Sequence, residues 1–580
     1  MKNFDNYGLD MLQAVIALAL SFLMIGAWAI AGLPLLYVSL PILGYSFWKM
    51  YKVFQKWRFW KSANHSVVVH VPYSRLADNA KAGNTLIGYG GQWSIDSARL
   101  AFLAKGQKMP EDKRGKPYIH AITGNSGEVL VPTDSFSMHC AVIGTTGSGK
   151  STCFTMLNVQ QILSGHSSIT IDPKGDPAAI AAAKQAAKDA GCPFYYFNPS
   201  DEENSVCLDL LGTTVEPAKL ATLITAQLFE ESSEKVFAKF AWEAVFGLCS
   251  GLILLGEKPT ISRLSEIFTE SNLNAFVTEV CRRTLQNRLS SFNYEKILDE
   301  GGGLKGVKQR DFFIAKVREK CPGGIDGFDS LISYVRRDNE FAEKITASLR
   351  PLLALLSSGT LRGLLSPVIG NSKKVVYFNE TLQHQAVFYI CLDSLSDKQV
   401  GRAVGQLVLG NVALLAGLKQ SSRDKQEKES KIAVFVDEAS ELAGETLVTL
   451  LNKGRSAGLM MFLATQTYSD FVAGAGNRDI ANSLFGNIGT VFVLRCNDAI
   501  TKDYFGESFG RVCINVSQDS NTVQTSVEGD RRYGQSKQMK QIEVPFFDGN
   551  LIADLPDLES VVKTGSDLQK VKIPIIDWEK

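Results

Sequence analysis

One short segment, Ala141–Thr152, restricts the fold of this chain more than any other. It reads AVIGTTGSGKST, a short apolar strand followed by the Gly-x-x-x-x-Gly-Lys-Ser pattern of a phosphate-binding P-loop. Its glycines let the backbone wrap closely around a polyphosphate, so that successive N–H groups point at the phosphate oxygens. The residues predicted to bind nucleotide are Gly144, Thr145, Thr146, Gly147, Ser148, Gly149, Lys150, Ser151 and Thr152. Lys150 is expected to reach the β- and γ-phosphates, and the Ser151 hydroxyl to ligate Mg²⁺.

A second motif lies far downstream, where the apolar run Ile432–Val436 is followed by Asp437 and Glu438. A buried parallel strand has this form, and it delivers its acids at the carboxyl edge of the sheet, where ligands bind. Asp437 is predicted to hold Mg²⁺ through water, and Glu438 to polarise the attacking water as general base. Nearby, Asn452–Arg455 resembles a guanine-reading Asn-Lys-x-Asp motif without its final Asp, which favours ATP over GTP.

Two further polar residues accompany the next strand, predicted over Met460–Ala464. Gln466 follows this strand, so its amide can hydrogen-bond the γ-phosphate or the attacking water and report the nucleotide state. Arg455 precedes it and can reach the nucleotide of a neighbouring subunit, as an arginine finger does. Each residue also has a simpler interpretation, because Gln466 can serve as a cap and Arg455 can form a surface salt bridge.

The order of patterns along the 580 residues indicates two or three domains. Strands and helices alternate from Cys140 onward, which predicts a parallel sheet covered by helices on both faces, an α/β fold. Between Glu216 and Leu365 the strand signals disappear and helical periodicity takes over, so an all-α domain is expected to be inserted into the sheet domain. The predicted boundaries are 62–135 for a membrane-proximal mixed α/β segment, 136–215 and 366–580 for the nucleotide-binding domain, and 216–365 for the inserted domain.

The region 1–61 is predicted to be a membrane anchor. Met11–Ala31 is apolar and long enough to cross a bilayer, residues 32–34 interrupt it, and Leu35–Trp48 carries no charge. A lysine- and arginine-rich stretch follows, so the pattern predicts a two-helix transmembrane hairpin with the large C-terminal part in the cytoplasm. A cleaved signal peptide is the alternative, disfavoured by acidic residues near the start and by the length of the apolar stretch.

The charge of the chain restricts its possible partners, and its cysteine content restricts the cellular compartment. The formal net charge of +1 excludes a nucleic-acid binder that acts through bulk charge, so any such contact must come from local patches. The inserted domain is rich in basic residues, which form either a nucleic-acid surface or a solvated face balanced by neighbouring acids. They are Arg282, Arg283, Arg288, Lys305, Lys308, Arg310, Lys316, Arg318, Lys320, Arg336 and Arg337. The ten cysteines include no Cys-x-x-Cys pair and indicate a reducing compartment.

Taken in order, these motifs resemble those of the coupling proteins of type IV secretion and conjugation, with the conjugation branch the better match. The resemblance covers nearly all of the chain. Its elements are the N-terminal hairpin, Gly88–Trp93, Ile119–Ala121, His139, the P-loop, Ile171–Asp176, the helical insertion, Asp437-Glu438, Gly454-Arg455 and Thr465–Thr467. Asp176 stands where related translocases often carry Glu, and no catalytic role is assigned to it.

This resemblance implies a RecA-like P-loop ATPase that uses ATP and Mg²⁺, assembles as a homo-hexamer and is anchored by several membrane passes in the bacterial inner membrane. It implies pumping of relaxase-bound, single-stranded DNA to a type IV secretion channel, with relaxosome proteins and channel components as partners. One alternative is a double-stranded DNA translocase of the segregation type, disfavoured because a long linker and a winged-helix-like C-terminal domain are lacking. Another is a nucleotide-assembled membrane receptor for secreted proteins, disfavoured by the intact set Lys150, Asp437, Glu438 and Gln466.

Overall fold

The computed structural model describes most of the chain from residue 67 onward. The described ranges are 67–105, 116, 118–123, 127–226, 235–322, 327–336, 349–367, 373–392, 397–422, 431–525 and 531–578, with short helical stretches between 15 and 54. The predicted spans 11–31 and 35–48 therefore lie only partly within the described residues. Within the described part, one helix, Lys398–Ser421, is long and apolar enough to cross a membrane, and 56% of its apolar window is buried inside the protein.

The strands are numbered in chain order. They are β1 (His70–Pro72), β2 (Asn84–Gln92), β3 (Gly127–Pro132), β4 (Cys140–Ile143), β5 (Ser167–Asp172), β6 (Phe194–Phe197), β7 (Cys207–Leu208), β8 (Val375–Val376), β9 (Val387–Cys391), β10 (Ile432–Val436), β11 (Leu459–Thr465), β12 (Thr490–Val493), β13 (Arg511–Thr525), β14 (Arg531–Pro545), β15 (Glu559–Thr564), β16 (Asp567–Lys572) and β17 (Ile575–Asp577).

The centre of the molecule is an 11-stranded sheet in the order β3-β2-β16-β15-β12-β4-β11-β10-β5-β9-β6. The strands from β12 to β6 run parallel, and β15, β16, β2 and β3 extend this sheet on one side as an antiparallel array. Strands β4, β9, β10 and β11 are buried along their whole length, which explains their continuous apolar sequences. The predicted mixed α/β class with a parallel-rich sheet is confirmed.

Helices cover this sheet and form the region between β7 and β8. They are Tyr73–Lys81, Ile95–Ala104, Tyr118–Thr123, Lys150–Leu163, Pro177–Asp189, Pro217–Thr225, Lys235–Leu255, Ile261–Ile267, Glu270–Arg288, Ser291–Gly301, Gly306–Lys320, Phe328–Val335, Leu361–Leu365, Glu380–Gln383, Lys398–Ser421, Glu445–Lys453, Tyr468–Ala475, Arg478–Gly486, Ala499–Ser508 and Asn550–Asp554. Between 216 and 365, as far as the chain is described, the regular structure is helical. Gly247 lets two of these helices touch, since a Cβ there would lie 2.7 Å from the Leu331 Cα.

The glycine-rich segment Gly88–Trp93 is extended, and the helix Ile95–Ala104 follows it. Most of it is the end of β2, which pairs with β3 on one side and with β16 on the other. The glycines serve close packing of backbones, because a Cβ on Gly90 would lie 2.0 Å from the carbonyl oxygen of Lys570. Trp93 is buried just beyond the strand, and its indole Nε1 donates to the Phe546 carbonyl at 2.7 Å.

The strands β13 and β14 form a long antiparallel ribbon that the sequence patterns did not indicate. Their register pairs Arg511 with Pro545 and continues to Thr525 and Arg531. The ribbon is a separate two-stranded sheet rather than part of the central one. Over most of its length its sequence lacks a regular alternation of apolar and polar residues, so periodicity gives little signal for a strand.

Candidate nucleotide site

The P-loop connects β4 to the helix Lys150–Leu163, as predicted. Gly147 and Gly149 adopt φ angles of 80° and 101°, which glycine accepts without steric cost. At Gly144 there is no room for a side chain, because a Cβ would lie 2.5 Å from the Ser148 Oγ and 2.8 Å from the Leu494 Cβ. The glycine spacing of the motif is therefore required both by backbone conformation and by close packing.

Backbone hydrogen bonds hold the loop against three other segments. The Gly144 N–H donates to the Thr465 carbonyl at 3.2 Å, and the Thr145 N–H donates to the Arg495 carbonyl at 3.0 Å. The Ser148 carbonyl accepts from the Leu558 N–H at 2.8 Å, just before β15. The loop is thus shaped in advance by its neighbours, as a preorganised phosphate cradle requires.

The acidic pair lies beside the P-loop lysine. Strand β10 ends at Val436, and Asp437 and Glu438 follow at the carboxyl edge of the sheet. The Lys150 Nζ lies 3.6 Å from the Asp437 Oδ1 and 3.4 Å from the Glu438 Oε1. This ammonium is buried, and among the described residues it has no hydrogen-bond partner. Phosphate oxygens would supply the acceptors it lacks, so the residues present fit a polyphosphate.

Glu438 is the most densely contacted of the predicted catalytic residues. It adopts a left-handed backbone conformation with φ of 46°, and its side chain is buried. The Gln466 Nε2 donates to its Oε1 at 3.1 Å, and the Lys174 Nζ donates to the same oxygen at 2.6 Å. Burial alone would raise the pKa of the Glu438 carboxyl, but Lys150, Lys174 and the Gln466 amide together hold that pKa below its ordinary value.

Asp437 differs from Glu438 in the direction of its pKa shift. Burial raises the pKa of the Asp437 carboxyl, and the attraction of Lys150 only partly opposes this effect. The Asp437 Oδ1 also accepts the Glu438 N–H at 3.0 Å, so the two acids are held in a defined relation. A cation at Asp437 would remove the cost of burying its charge.

Lys174 is a site residue that the motif analysis did not single out. It lies in the turn after β5, and the buried Asp172 shapes that turn by accepting the backbone N–H groups of Lys174, Gly175 and Asp176 at 2.8, 3.0 and 3.0 Å. The Tyr389 hydroxyl donates to the Asp172 Oδ2 at 2.8 Å and completes its contacts. The signal available in the sequence was a lysine placed two residues after an acid at a strand end.

Two more of the residues predicted to bind nucleotide or metal lie at the surface. Thr146 and Ser151 are exposed at the mouth of the loop and at the first helical turn, positions open to a ligand. Asp176 caps the helix Pro177–Asp189 by accepting the Ala178 N–H at 2.9 Å, consistent with the absence of a catalytic assignment.

Arg455 is the one predicted catalytic residue that lies away from the others. It is exposed in the short turn Gly454–Ala457 before β11, whereas Gln466 follows β11. The 7 residues of that strand separate the two ends by about 23 Å at roughly 3.3 Å per residue. Lys150, Glu438 and Gln466 therefore meet within one chain, and Arg455 does not join them there.

A cleft of about 500 Å³ opens beside Glu438. Its lining combines basic and acidic side chains, and it includes Glu438 and Gln466 of the nucleotide site. They are Pro173, Lys174, Lys398, Arg402, Glu438, Ser440, Glu441, Gln466, Asp470, Ala473 and Gly474. The cleft gives solvent a path to the Glu438 carboxylate, which a water-activating base needs.

Comparison with known proteins supports this description. The family described as the TraM recognition site of TraD and TraG matches residues 431–557, and the central domain of the helicase HerA matches residues 120–245. The first range contains the acidic pair and the second contains the P-loop. No curated protein sequence matches this chain.

The solved structure of one coupling protein complex shares the fold, and a second structure aligns less well. The plasmid coupling protein TrwB in complex with the non-hydrolysable GTP analogue GDPNP aligns with a TM-score of 0.50 at 16% identity, over 85% of this chain and 96% of that chain. The unbound monoclinic form of the bacterial conjugative coupling protein TrwBdeltaN70 aligns with a TM-score of 0.48 at 15% identity, over 86% and 96%. The family matches, together with the fold shared with the GDPNP complex, confirm the resemblance to coupling proteins that the motifs indicate.

Proposed function

We propose that this relative of the conjugative coupling proteins is a membrane-anchored ATPase that moves single-stranded, relaxase-bound DNA to a type IV secretion channel. The observation that carries the proposal is the convergence of Lys150, Asp437, Glu438 and Gln466 on one buried edge of the sheet. A site that only held subunits together would need the phosphate cradle but not a glutamate contacted by a glutamine.

The proposed roles follow from position. Backbone N–H groups of the P-loop and the Lys150 ammonium would hold the phosphates, while Ser151 and Asp437 would hold Mg²⁺, directly or through water. Mg²⁺, when bound, offsets negative charge on the phosphate oxygens. Glu438 would take a proton from the attacking water, and Gln466 would orient that water. TrwB has been solved both with ADP and Mg²⁺ and with an ATP analogue.

The basic residues of the inserted domain are not assigned to DNA. Several of them pair with acids of the same domain: the Lys316 Nζ lies 3.0 Å from Glu300, and the Arg318 Nη2 lies 3.9 Å from Asp329. Arg310 likewise contacts Asp311 at 2.8 Å. These contacts favour the balanced, solvated face, so the DNA path is proposed to lie elsewhere on the assembled ring.

Membrane anchoring at the bacterial inner membrane is proposed from the N-terminal region. In the described helical stretches there, large apolar side chains face outward: Phe22 is 61% exposed, Leu23 70% and Phe47 60%. Such exposure is unfavourable in water and suits a lipid environment. A reporter fused after Lys61 should be active only as a cytoplasmic reporter, and the reverse pattern would contradict the hairpin.

A homo-hexameric ring with nucleotide sites between subunits is proposed, with Arg455 acting in trans. An exposed arginine distant from its own P-loop fits this arrangement better than a role within one chain. Relaxosome and channel proteins are the proposed partners, since the family that matches 431–557 is described as a recognition site for TraM in TraD and TraG.

The proposal is tested by nucleotide hydrolysis of the purified full chain in detergent, measured with single-stranded DNA, with duplex DNA and without DNA. We expect ATPase activity that single-stranded DNA stimulates most and that weakens steeply with salt, because phosphate contacts release counterions. Stimulation by duplex DNA alone would favour the segregation-type translocase. Hydrolysis indifferent to both DNAs would contradict DNA transport, and binding of nucleotide without hydrolysis would favour the receptor.

A further inference from the structure

We propose that Lys174 is a positioning residue for hydrolysis, which aims the Glu438 carboxylate at the attacking water while nucleotide occupies the P-loop. This inference rests on the proposed ATPase function and adds a residue to its site. The contact that carries it is the 2.6 Å hydrogen bond from the Lys174 Nζ to the Glu438 Oε1.

Two hydrogen-bond donors and one further cation converge on a single oxygen of Glu438. Lys174 and Gln466 hydrogen-bond the Oε1 at 2.6 and 3.1 Å, and the Lys150 Nζ lies 3.4 Å from the same atom. Within the described part of the chain, no donor is assigned to the Oε2. The carboxylate is therefore anchored through one oxygen, and the other is left to accept a proton.

Lys150 cannot maintain this anchor during turnover. Its ammonium is the group that the P-loop supplies to the β- and γ-phosphates, so nucleotide binding draws it away from Glu438. Lys174 then becomes the cation that stays with the carboxylate. Without Lys174, the Gln466 amide alone would hold the carboxylate, and a buried charge that lacks a compensating cation is costly.

The placement of Lys174 is built into the fold. Its backbone is held by Asp172, which itself is buried and hydrogen-bonded by Tyr389. Its side chain is 49% exposed and reaches Glu438 across the cleft, against 9% exposure for the glutamate. Lys174 thus contacts Glu438 from the part of the cleft that is open to solvent.

The test compares steady-state ATP hydrolysis of the full chain with Lys174→Met, Lys174→Arg and, as a matched control, Lys184→Met on the exposed face of the next helix. We expect Lys174→Met to lower kcat by about 10- to 100-fold, the scale seen when a supporting partner of an active-site group is removed, with KM unchanged. Lys174→Arg should restore most of the loss and Lys184→Met should equal the wild type. A wild-type kcat, or a faster one, for Lys174→Met would overturn the positioning role.

A second readout does not depend on turnover. Thermal unfolding of Lys174→Met, Glu438→Gln and the double variant forms a cycle, in which a real contact gives a non-additive shift of Tm. Additive shifts would overturn the contact itself. A wild-type chain that hydrolyses no ATP overturns the proposed function, whereas wild-type hydrolysis that is indifferent to Lys174 overturns only this inference.

Discussion

Replacing Glu438 with Gln tests the assignment of the general base most directly. The substitution keeps the shape of the side chain and its contact with Gln466, and it removes the charge that Lys150 and Lys174 share. A general base contributes about 10²- to 10⁴-fold to the rate. At about 1.4 kcal/mol per factor of ten, this corresponds to about 3 to 6 kcal/mol of activation free energy.

Nucleotide affinity should not fall with the rate. At the observed 3.4 Å, the attraction between the Lys150 ammonium and the Glu438 carboxylate is about 5 kcal/mol before desolvation, for an effective dielectric constant of about 20. This attraction competes with phosphate oxygens for the same ammonium. Because the substitution to Gln removes the competitor, we expect the dissociation constant for ATP to stay the same or to decrease.

The two quantities are measured as phosphate release at saturating ATP and as binding of a fluorescent ATP analogue. Glu441→Gln is the matched control, since Glu441 lines the same cleft and pairs with Lys398 at 3.6 Å rather than with the P-loop lysine. Turnover of Glu438→Gln at the wild-type rate would refute the base assignment. Loss of ATP binding together with turnover would refute the competition argument instead.

The remaining predictions concern other parts of the site and the fold. Lys150→Ala should weaken ATP binding and abolish hydrolysis in the same two assays, because it removes the ammonium from the phosphates; normal binding would contradict its role. Arg455→Ala should leave binding nearly intact and lower hydrolysis by about 10³-fold or more. Mixing Arg455→Ala with Lys150→Ala subunits should restore some activity, and no recovery at any ratio would make Arg455 structural. Asp498→Ala should lower the free energy of unfolding by about 1 to 2 kcal/mol, since Asp498 caps the helix Ala499–Ser508 through the Thr501 N–H at 2.8 Å, whereas Asp498→Asn should keep most of the cap. Although burial raises the pKa of Asp498, its hydrogen bonds lower that pKa below the ordinary value. The stabilisation by the cap should therefore be present above the unfolded-state pKa and be lost as the pH falls through the folded-state pKa. Equal denaturant midpoints for the wild type and both variants would contradict the cap. Gly90→Ala should lower Tm or prevent folding because its Cβ meets the Lys570 carbonyl, and an unchanged Tm would contradict that packing.

Much of the nucleotide site follows from local sequence because its chemistry requires particular residue types at short spacing. The P-loop needs glycine where φ is positive and a lysine at the start of the helix, and Gly147, Gly149 and Lys150 show this. Buried parallel strands are apolar along most of their length and polar at their ends, so the strands β10 and β11 and the acids after β10 were recognisable. The membrane hairpin and the trans role of Arg455 stay predictions.

The tertiary structure decided which segments meet. The register of β2 and β16 places Gly90 opposite Val571, and a Cβ at Gly90 would lie 2.0 Å from the Lys570 carbonyl oxygen, so a contact between distant segments explains the glycine there. Lys174 reaches Glu438 across 264 residues of sequence, and no local pattern could assign the contact. Periodicity and motif spacing indicate which residue types a single strand or loop requires, whereas contacts between distant segments depend on the order of strands in the sheet. That order is set by packing of the whole chain, which is why the sequence alone predicted Glu438 but not the lysine that holds it.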